Sequence, residues 1–327
     1  MFKGVETMQF IVSNQTEPYW NIAVENYLVE HGDTITLYLW RNRRTVVIGQ
    51  NQNPYSEVNV EALEADGGYL MRRKTGGGAV YHDDGNLNFS FVVPKVLYDQ
   101  RRQFGVIQRA VESFGLHTEL SGRNDILAEG RKFSGNAFSK GRVNDLHHGT
   151  LLIKGNMEDL QRYLKPKPAK LQKHGVQSVR SRVVNLAELN PEITPESIAI
   201  RLKEAFFSEY SEYSDYSEYS DYSEIIKRPE VRALHDQFAS DDWKYGRWRS
   251  FKAQRSGQFD WGGVEVALTV DEAQGVITDV QLASDALDLS AIVQAQKLLV
   301  GASVYQAPTV PSDINSQIVK DILSLVY

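Results

Sequence analysis

Apolar and polar positions divide the chain into a long first stretch of interleaved strands and helices and a smaller C-terminal set of the same elements. Residues Tyr19–Glu30 repeat as an amphipathic helix does, while Ile35–Trp40 and Thr45–Gly49 alternate or run apolar with β-branched residues, as strands do. Phe104, Ile107, Val111 and Phe114 recur at helical spacing, and Gly115 stands where that helix should end. From Asp125 to Ile153 the pattern returns to short strands separated by glycine-containing turns. Thr194-Pro195 reads as an N-cap followed by proline at the first helical position, and Ile198, Leu202, Ala205 and Phe206 mark the helix behind it.

Residues 208–224 repeat Ser-Glu/Asp-Tyr with a period of three. That period matches neither a helix face nor strand alternation, and the carboxylates repel one another, so a solvated connector or irregular hairpin is expected rather than a packed element. Beyond it lies the aromatic, basic stretch Trp243–Phe251. Residues 257–283 alternate like three strands, with turns at Trp261-Gly262-Gly263 and Ala273-Gln274-Gly275, and helical patterns follow at Leu287–Val300 and Ile314–Val326. The expected organisation is a large domain over residues 1–207, a repeat-containing connector over 208–249 and a small α+β module over 250–327. No residue cluster in that module reads as catalytic.

Composition narrows the chemistry. The chain has 327 residues, 42% of them hydrophobic, enough for one large core and a smaller one. Its net charge of −6 gives no global attraction to nucleic acid or an acidic membrane, so any anion has to be held by a local basic cluster. No stretch approaches a membrane span and no signal-peptide pattern opens the chain, so a cytoplasmic protein is expected. The absence of cysteine rules out thiolate ligands and any enzyme-bound thioester.

Three clusters carry candidate chemistry. In Arg72-Arg73-Lys74-Thr75-Gly76-Gly77-Gly78-Ala79-Val80-Tyr81, three glycines sit between a basic triplet and a strand-like run. Glycines let the backbone approach a ligand and turn successive N–H groups toward an anion, while the arginines supply charge. The run fits neither the P-loop pattern nor a dinucleotide fingerprint. The second cluster, Ser121-Gly122-Arg123-Asn124-Asp125, leads into Arg131-Lys132-Phe133-Ser134-Gly135 and presents Lys132 as a cationic anchor for phosphate, with Asn124 and Asp125 as further candidates. In the third, His147-His148-Gly149-Thr150, adjacent histidines on a strand point to opposite faces, which suits packing or ligand contact better than metal. No protein ligand set for a metal emerges from the sequence.

Together these clusters resemble the bacterial lipoate–protein ligase family in uninterrupted order over residues 8–206. Trp20-Asn21-Ile22-Ala23-Val24-Glu25, Leu39-Trp40-Arg41-Asn42 and Thr45-Val46-Val47-Ile48-Gly49 match first. The Arg-Arg-x-x-Gly-Gly-Gly-Ala-Val run, Gly122-Arg123-Asn124-Asp125, Arg131-Lys132-x-Ser134-Gly135 and His147-His148-Gly149-Thr150 follow. Ser178-Val179-Arg180-Ser181-Arg182-Val183 and Trp261-Gly262-Gly263-Val264-Glu265 also match.

The resemblance implies an α+β fold: a large mixed-sheet domain of the biotin/lipoate-ligase type with a smaller C-terminal α+β accessory domain. It implies ATP or lipoyl-adenylate binding at Arg73, Gly76, Gly77, Gly78, Ala79, Val80 and Tyr81, with Arg72 nearby, and Lys132 as the central ligand-binding and catalytic lysine. Trp40 and His148 would line a lipoate pocket. The implied reaction joins lipoate to ATP as lipoyl-AMP, with Mg2+ at the phosphates, then passes the lipoyl group to a lysine of an apo lipoyl domain. Acceptors would be acyltransferase subunits of 2-oxo acid dehydrogenases and the glycine-cleavage H protein. Asp125 or a phosphate oxygen would take the amine proton. Transferases of the same fold that use an enzyme thiol are closed to a chain without cysteine, and the loop pattern separates this chain from biotin ligases. The alternative of another class is a non-catalytic paralogue that binds lipoyl-adenylate or lipoyl domains, distinguished by failure to form AMP.

Overall fold

The computed structural model describes residues 7–122, 124–165, 183–213, 215–216, 222–245, 253–271, 276–303, 306–311, 314 and 316–327. Strands β1 (Thr7–Val12) and β2 (Ile35–Trp40) run parallel, which requires a crossover, and helix Pro18–His31 supplies it. Glu17 caps that helix by accepting the Trp20 N–H, and Pro18 opens it. Its sequence reads as amphipathic, yet Asn21, Ile22, Ala23, Val24, Glu25 and Asn26 are all buried, because helix Pro229–Ala239 covers the side turned away from the sheet.

Strand β6 (Asn86–Pro94) pairs antiparallel with β2 and with β10 (Asn144–Leu152). The sheet continues through β9 (Arg131–Lys140), β8 (Asp125–Ala128) and β7 (Thr118–Ser121). At its other edge β11 (Asp215–Tyr216) runs parallel to β1, giving a mixed eight-stranded order β11-β1-β2-β6-β10-β9-β8-β7. Period-two alternation splits the strands between two cores. Leu37, Leu39, Phe89 and Phe91 face helices Gln100–Glu112 and Pro195–Glu209, while Tyr38, Trp40 and Val92 face helix Pro18–His31. The second of those helices opens with the expected cap: Thr194 and Ser197 form a reciprocal capping box ahead of Pro195.

Thr45–Ile48 (β3) does not join this sheet. It lies parallel to β4 (Tyr69–Arg72) and antiparallel to β5 (Val80–His82) in a separate three-stranded sheet, so the glycine-rich run is the connection from β4 to β5. The C-terminal module is a meander of β12 (Ala253–Phe259), β13 (Gly262–Asp271) and β14 (Val276–Ser284), covered by helices Leu289–Leu299 and Gln317–Val326. Its first turn falls where expected; Ala273-Gln274-Gly275 lies outside the described residues.

The repeat departs from the expected solvated connector. Tyr210 and Tyr222 are buried, and Tyr222 stacks on Tyr38 with ring centroids 6.2 Å apart. A period of three cannot build one continuous face, but the end tyrosines need none, and burying a whole aromatic ring outweighs the solvation of their acidic neighbours. Residues 214 and 217–221 lie outside the described set. Beyond residue 207, Ile225, Val231 and Phe238 pack into the core of helix Pro18–His31. Of Trp243–Phe251, the residues after Tyr245 lie outside the described set. Among the described residues no helix is long and apolar enough to cross a membrane.

Candidate active site

A cavity of about 330 Å³ opens between the β4–β5 connection, the β9–β10 hairpin and the tip of the C-terminal module. Ile22, Trp40, Val47, Met71 and Ala137 give it an apolar arm; Gly77, Gly78, Lys132, Asn124, Asp125 and His148 give it a polar one. A second cavity of about 360 Å³ lies beside helix Pro18–His31, but neither Lys132 nor the three glycines line it.

The glycine run is shaped by close approaches on both sides. A Cβ on Gly76 would sit 2.1 Å from the Ala286 carbonyl oxygen, and Gly77 has φ +93°, a conformation open mainly to glycine. Gly78 has nothing within 4 Å of its would-be Cβ and faces open space. Arg73 secures the loop from behind. Its Nη2 donates to the Gly76 and Gly78 carbonyls at 2.7 and 2.8 Å, and its Nε donates to Gly76 O and Thr75 Oγ1. Those carbonyls are drawn inward, and Gly78 is the loop position left with open space beside it. Burial lowers the Arg73 pKa to about 10, so the guanidinium is still a cation at neutral pH.

Lys132 lies on β9 beside the irregular pairing with β8, and its Nζ forms an ion pair with Asp125 at 2.7 Å, both side chains about one-third exposed. Gly135 leaves it room: a Cβ there would stand 3.3 Å from Nζ. Asn124 Nδ2 donates to the Asn136 carbonyl, and Asn136 Nδ2 returns a bond to Asn124 O, fixing the turn that presents Asp125.

The two histidines separate as strand geometry requires. His147 enters the aromatic core against Phe91, Phe104 and Phe138, and His148 faces the cavity. His148 joins a continuous buried chain. Trp40 Nε1 donates to Ser90 Oγ at 2.9 Å, and Ser90 donates to Glu25 at 2.5 Å. His148 Nδ1 donates to the same carboxylate oxygen at 2.8 Å, and Thr75 Oγ1 meets His148 Nε2 at 2.8 Å. Glu25 thereby compensates the buried Arg73 through two intermediaries.

The fold therefore brings together Arg73, Gly77, Gly78, Ala79, Val80, Lys132, Asn124, Asp125, Trp40 and His148. Gly76 supports the loop. Two candidates are placed elsewhere. Arg72 spends its guanidinium on the carbonyls of Gly49, Gln50, Gln52, Trp243 and Lys244, bracing the loop after β3 and helix Asp241–Lys244. Tyr81 turns away because β5 alternates: its ring packs on Tyr163 and its hydroxyl donates to Asp159 at 3.2 Å. Arg123 and Ser178–Arg182 lie outside the described residues. Sequence reasoning passed over Glu25, Thr75, His82 and Asn88. Glu25 and Thr75 lie within runs already named and His82 and Asn88 do not, and nothing along the chain shows that the four meet.

It also passed over the C-terminal module, where no site cluster was expected. Asp285 and Leu287 line the cavity, and the Gly77 N–H donates to Ala286 O at 3.3 Å. Among the described residues no group of three or more His, Cys, Asp or Glu side chains could hold a metal.

The lipoyl protein ligase A/B catalytic domain matches residues 17–207, more than half of the chain, and the bacterial lipoate protein ligase C-terminus matches 249–318. The chain is 40% identical over 292 residues to lipoate-protein ligase A of Psychrobacter cryohalolentis, covering 87% of this chain and 85% of that one. It is similar to the crystal structure of P. falciparum LipL1 in complex with lipoate, with a TM-score of 0.80, 29% identity, and coverage of 97% of this chain and 99% of that one. A lipoate-protein ligase A bound with ATP shares the fold, with a TM-score of 0.61, 24% identity, and coverage of 73% of this chain and 97% of that one.

Proposed function

We propose that this chain, which belongs to the lipoyl protein ligase A/B family, is an ATP-dependent lipoate–protein ligase acting in the cytoplasm. The observation that carries the reading is one cavity in which an apolar arm at Trp40, Ile22, Val47 and Met71 meets both Lys132 and the open Gly78 backbone. The apolar arm suits an acyl chain, and the polar arm suits a phosphate.

In the first step the lipoate carboxylate attacks the α-phosphate of ATP and pyrophosphate leaves. In the second, a lysine amine of the acceptor attacks the mixed anhydride and AMP leaves. Negative charge grows near one centre in both, so positioning by the glycine loop and the charge of Lys132 do most of the work. Arg73 contributes by holding the loop carbonyls. Asp125, paired with Lys132 on the cavity wall, is one group that could take the amine proton, and a phosphate oxygen is the other. Magnesium would enter on the nucleotide, with Asp125 and Asp285 the carboxylates lining the cavity.

The acceptors are apo lipoyl domains of 2-oxo acid dehydrogenase acyltransferase subunits and the glycine-cleavage H protein. Mass spectrometry of an apo lipoyl domain incubated with this protein, lipoate and MgATP tests the reading. A lysine-linked lipoyl adduct and AMP are expected; no AMP from the folded protein returns it to the binding-paralogue class.

A further inference from the structure

Two buried polar atoms on the cavity wall have no hydrogen-bond partner among the described residues: His82 Nε2 and Asn88 Nδ2. Both residues are almost wholly inaccessible, His82 at 2% and Asn88 at 0%. Leaving a buried donor unpaired is costly, so two on one wall mark a place where something else supplies the acceptor.

Which His82 nitrogen carries the proton follows from a chain of amides. Asn21 Nδ2 donates to the Arg41 carbonyl at 2.8 Å, an oxygen that can only accept, which fixes the orientation of that amide, with Ser13 Oγ and Tyr38 OH donating to its Oδ1 at 2.6 and 3.1 Å. Asn21 Nδ2 then donates to Asn42 Oδ1 at 3.0 Å, which fixes the next one. Asn42 is left with its Nδ2 toward His82 Nδ1, at 3.3 Å. An amide N–H donates, so Nδ1 accepts and the ring proton of neutral His82 sits on Nε2, the unpartnered nitrogen of a ring that lines the cavity. Burial, with Arg73 and His148 nearby, lowers the His82 pKa to about 3, so the ring stays neutral through the physiological range. Asn88 is oriented the same way: Asn86 Nδ2 donates to Asn88 Oδ1 at 2.9 Å, leaving Nδ2 free.

We propose that His82 Nε2–H and Asn88 Nδ2–H bind the carbonyl oxygen of the acyl group and stabilise the charge it carries during transfer. The apolar arm places the acyl chain beside them, since the Trp40 ring stands edge-on to His82 at 6.1 Å and Trp40 pairs with Asn88 in the β2–β6 register. As the acceptor amine adds to the carbonyl carbon, the C=O π electrons move onto this oxygen. They return when the bond to the AMP phosphate oxygen breaks, and the amine proton leaves with the departing phosphate. Neutral donors suit this role because they add no fixed charge to compete with Lys132 for the phosphate.

This inference rests on the ligase reading, and the experiment separates the two. Single-turnover transfer from preformed lipoyl-AMP to an apo lipoyl domain is measured for wild type, His82→Phe and Asn88→Asp; the last keeps the acceptor for Asn86. Inactive wild type would sink the ligase reading itself. With active wild type, each variant is expected to slow transfer by roughly 10²–10³-fold while lipoyl-AMP affinity changes less than about tenfold. Rates within about threefold of wild type in both variants overturn the donor assignment. Nitrogen NMR of His82 supplies a test independent of activity and of variant folding. A protonated Nε2 with a bare Nδ1 is expected, and the reverse tautomer overturns the proposal.

Discussion

Glu25 is the residue whose removal tests the buried network most directly. Its carboxylate, 1% exposed, accepts from Ser90 and His148 and faces the buried Arg73 cation through Thr75. Glu25→Gln keeps the shape and an accepting oxygen but removes the charge. Each of its two hydrogen bonds then falls from charge-assisted to neutral strength, a loss of about 1 kcal/mol apiece. Arg73 loses its compensation as well. Burial already holds that guanidinium at about 10 rather than 12.5, which at neutral pH costs roughly 3 kcal/mol; with the folded pKa lowered, this cost is present below about pH 10 and relieved between there and 12.5. Losing the partner should add about 1 kcal/mol. The total, about 3 kcal/mol, matches the lower end for breaking a buried pair. Urea unfolding followed by tryptophan fluorescence should show that loss with an unchanged slope, and KM for ATP should rise as the glycine loop loosens. A loss below about 1 kcal/mol with unchanged KM would mean that Glu25 and Arg73 are not coupled.

Lys132→Ala should slow both adenylation and transfer by roughly 10²–10³-fold in single-turnover assays, and Lys132→Arg should not restore them, because a planar fork cannot replace a point charge. Tyr210 is buried with its hydroxyl unpartnered among the described residues, so Tyr210→Phe should be neutral or stabilising by up to ~1 kcal/mol, whereas Tyr210→Ala should cost about 3–5 kcal/mol by chemical denaturation. His82, held at about 3, binds no proton in the folded state where an unfolded histidine does, so it subtracts about 1.4 kcal/mol of stability per pH unit as pH falls below 6.5. His147 shifts in the same direction through burial. Between pH 6 and 5, His82→Phe should therefore show a shallower fall in urea midpoint than wild type.

Several local features were legible in the order of residues because local rules apply to them. Three consecutive glycines announce a backbone in tight quarters, Thr194-Pro195 announces a helix start, and His147-His148 on a strand must point apart. Such features depend on neighbours within a few positions, where geometry is set by chain stereochemistry. Arg72 and Arg73 show the limit. They are adjacent and alike in sequence, but the end of β4 turns one toward the loop after β3 and the other beneath the glycines, so only Arg73 shapes the cavity. Period alone also misjudged the tyrosine repeat, because burial of Tyr210 and Tyr222 depends on surfaces more than a hundred residues away. The meeting of Trp40, Ser90, Glu25, His148, Thr75 and Arg73, the tautomer of His82 and the seating of Ala286 on Gly77 are decided by tertiary structure. Each needs hydrogen-bond partners drawn from separate strands and helices, and direction and distance between such groups exist only once the sheets have packed.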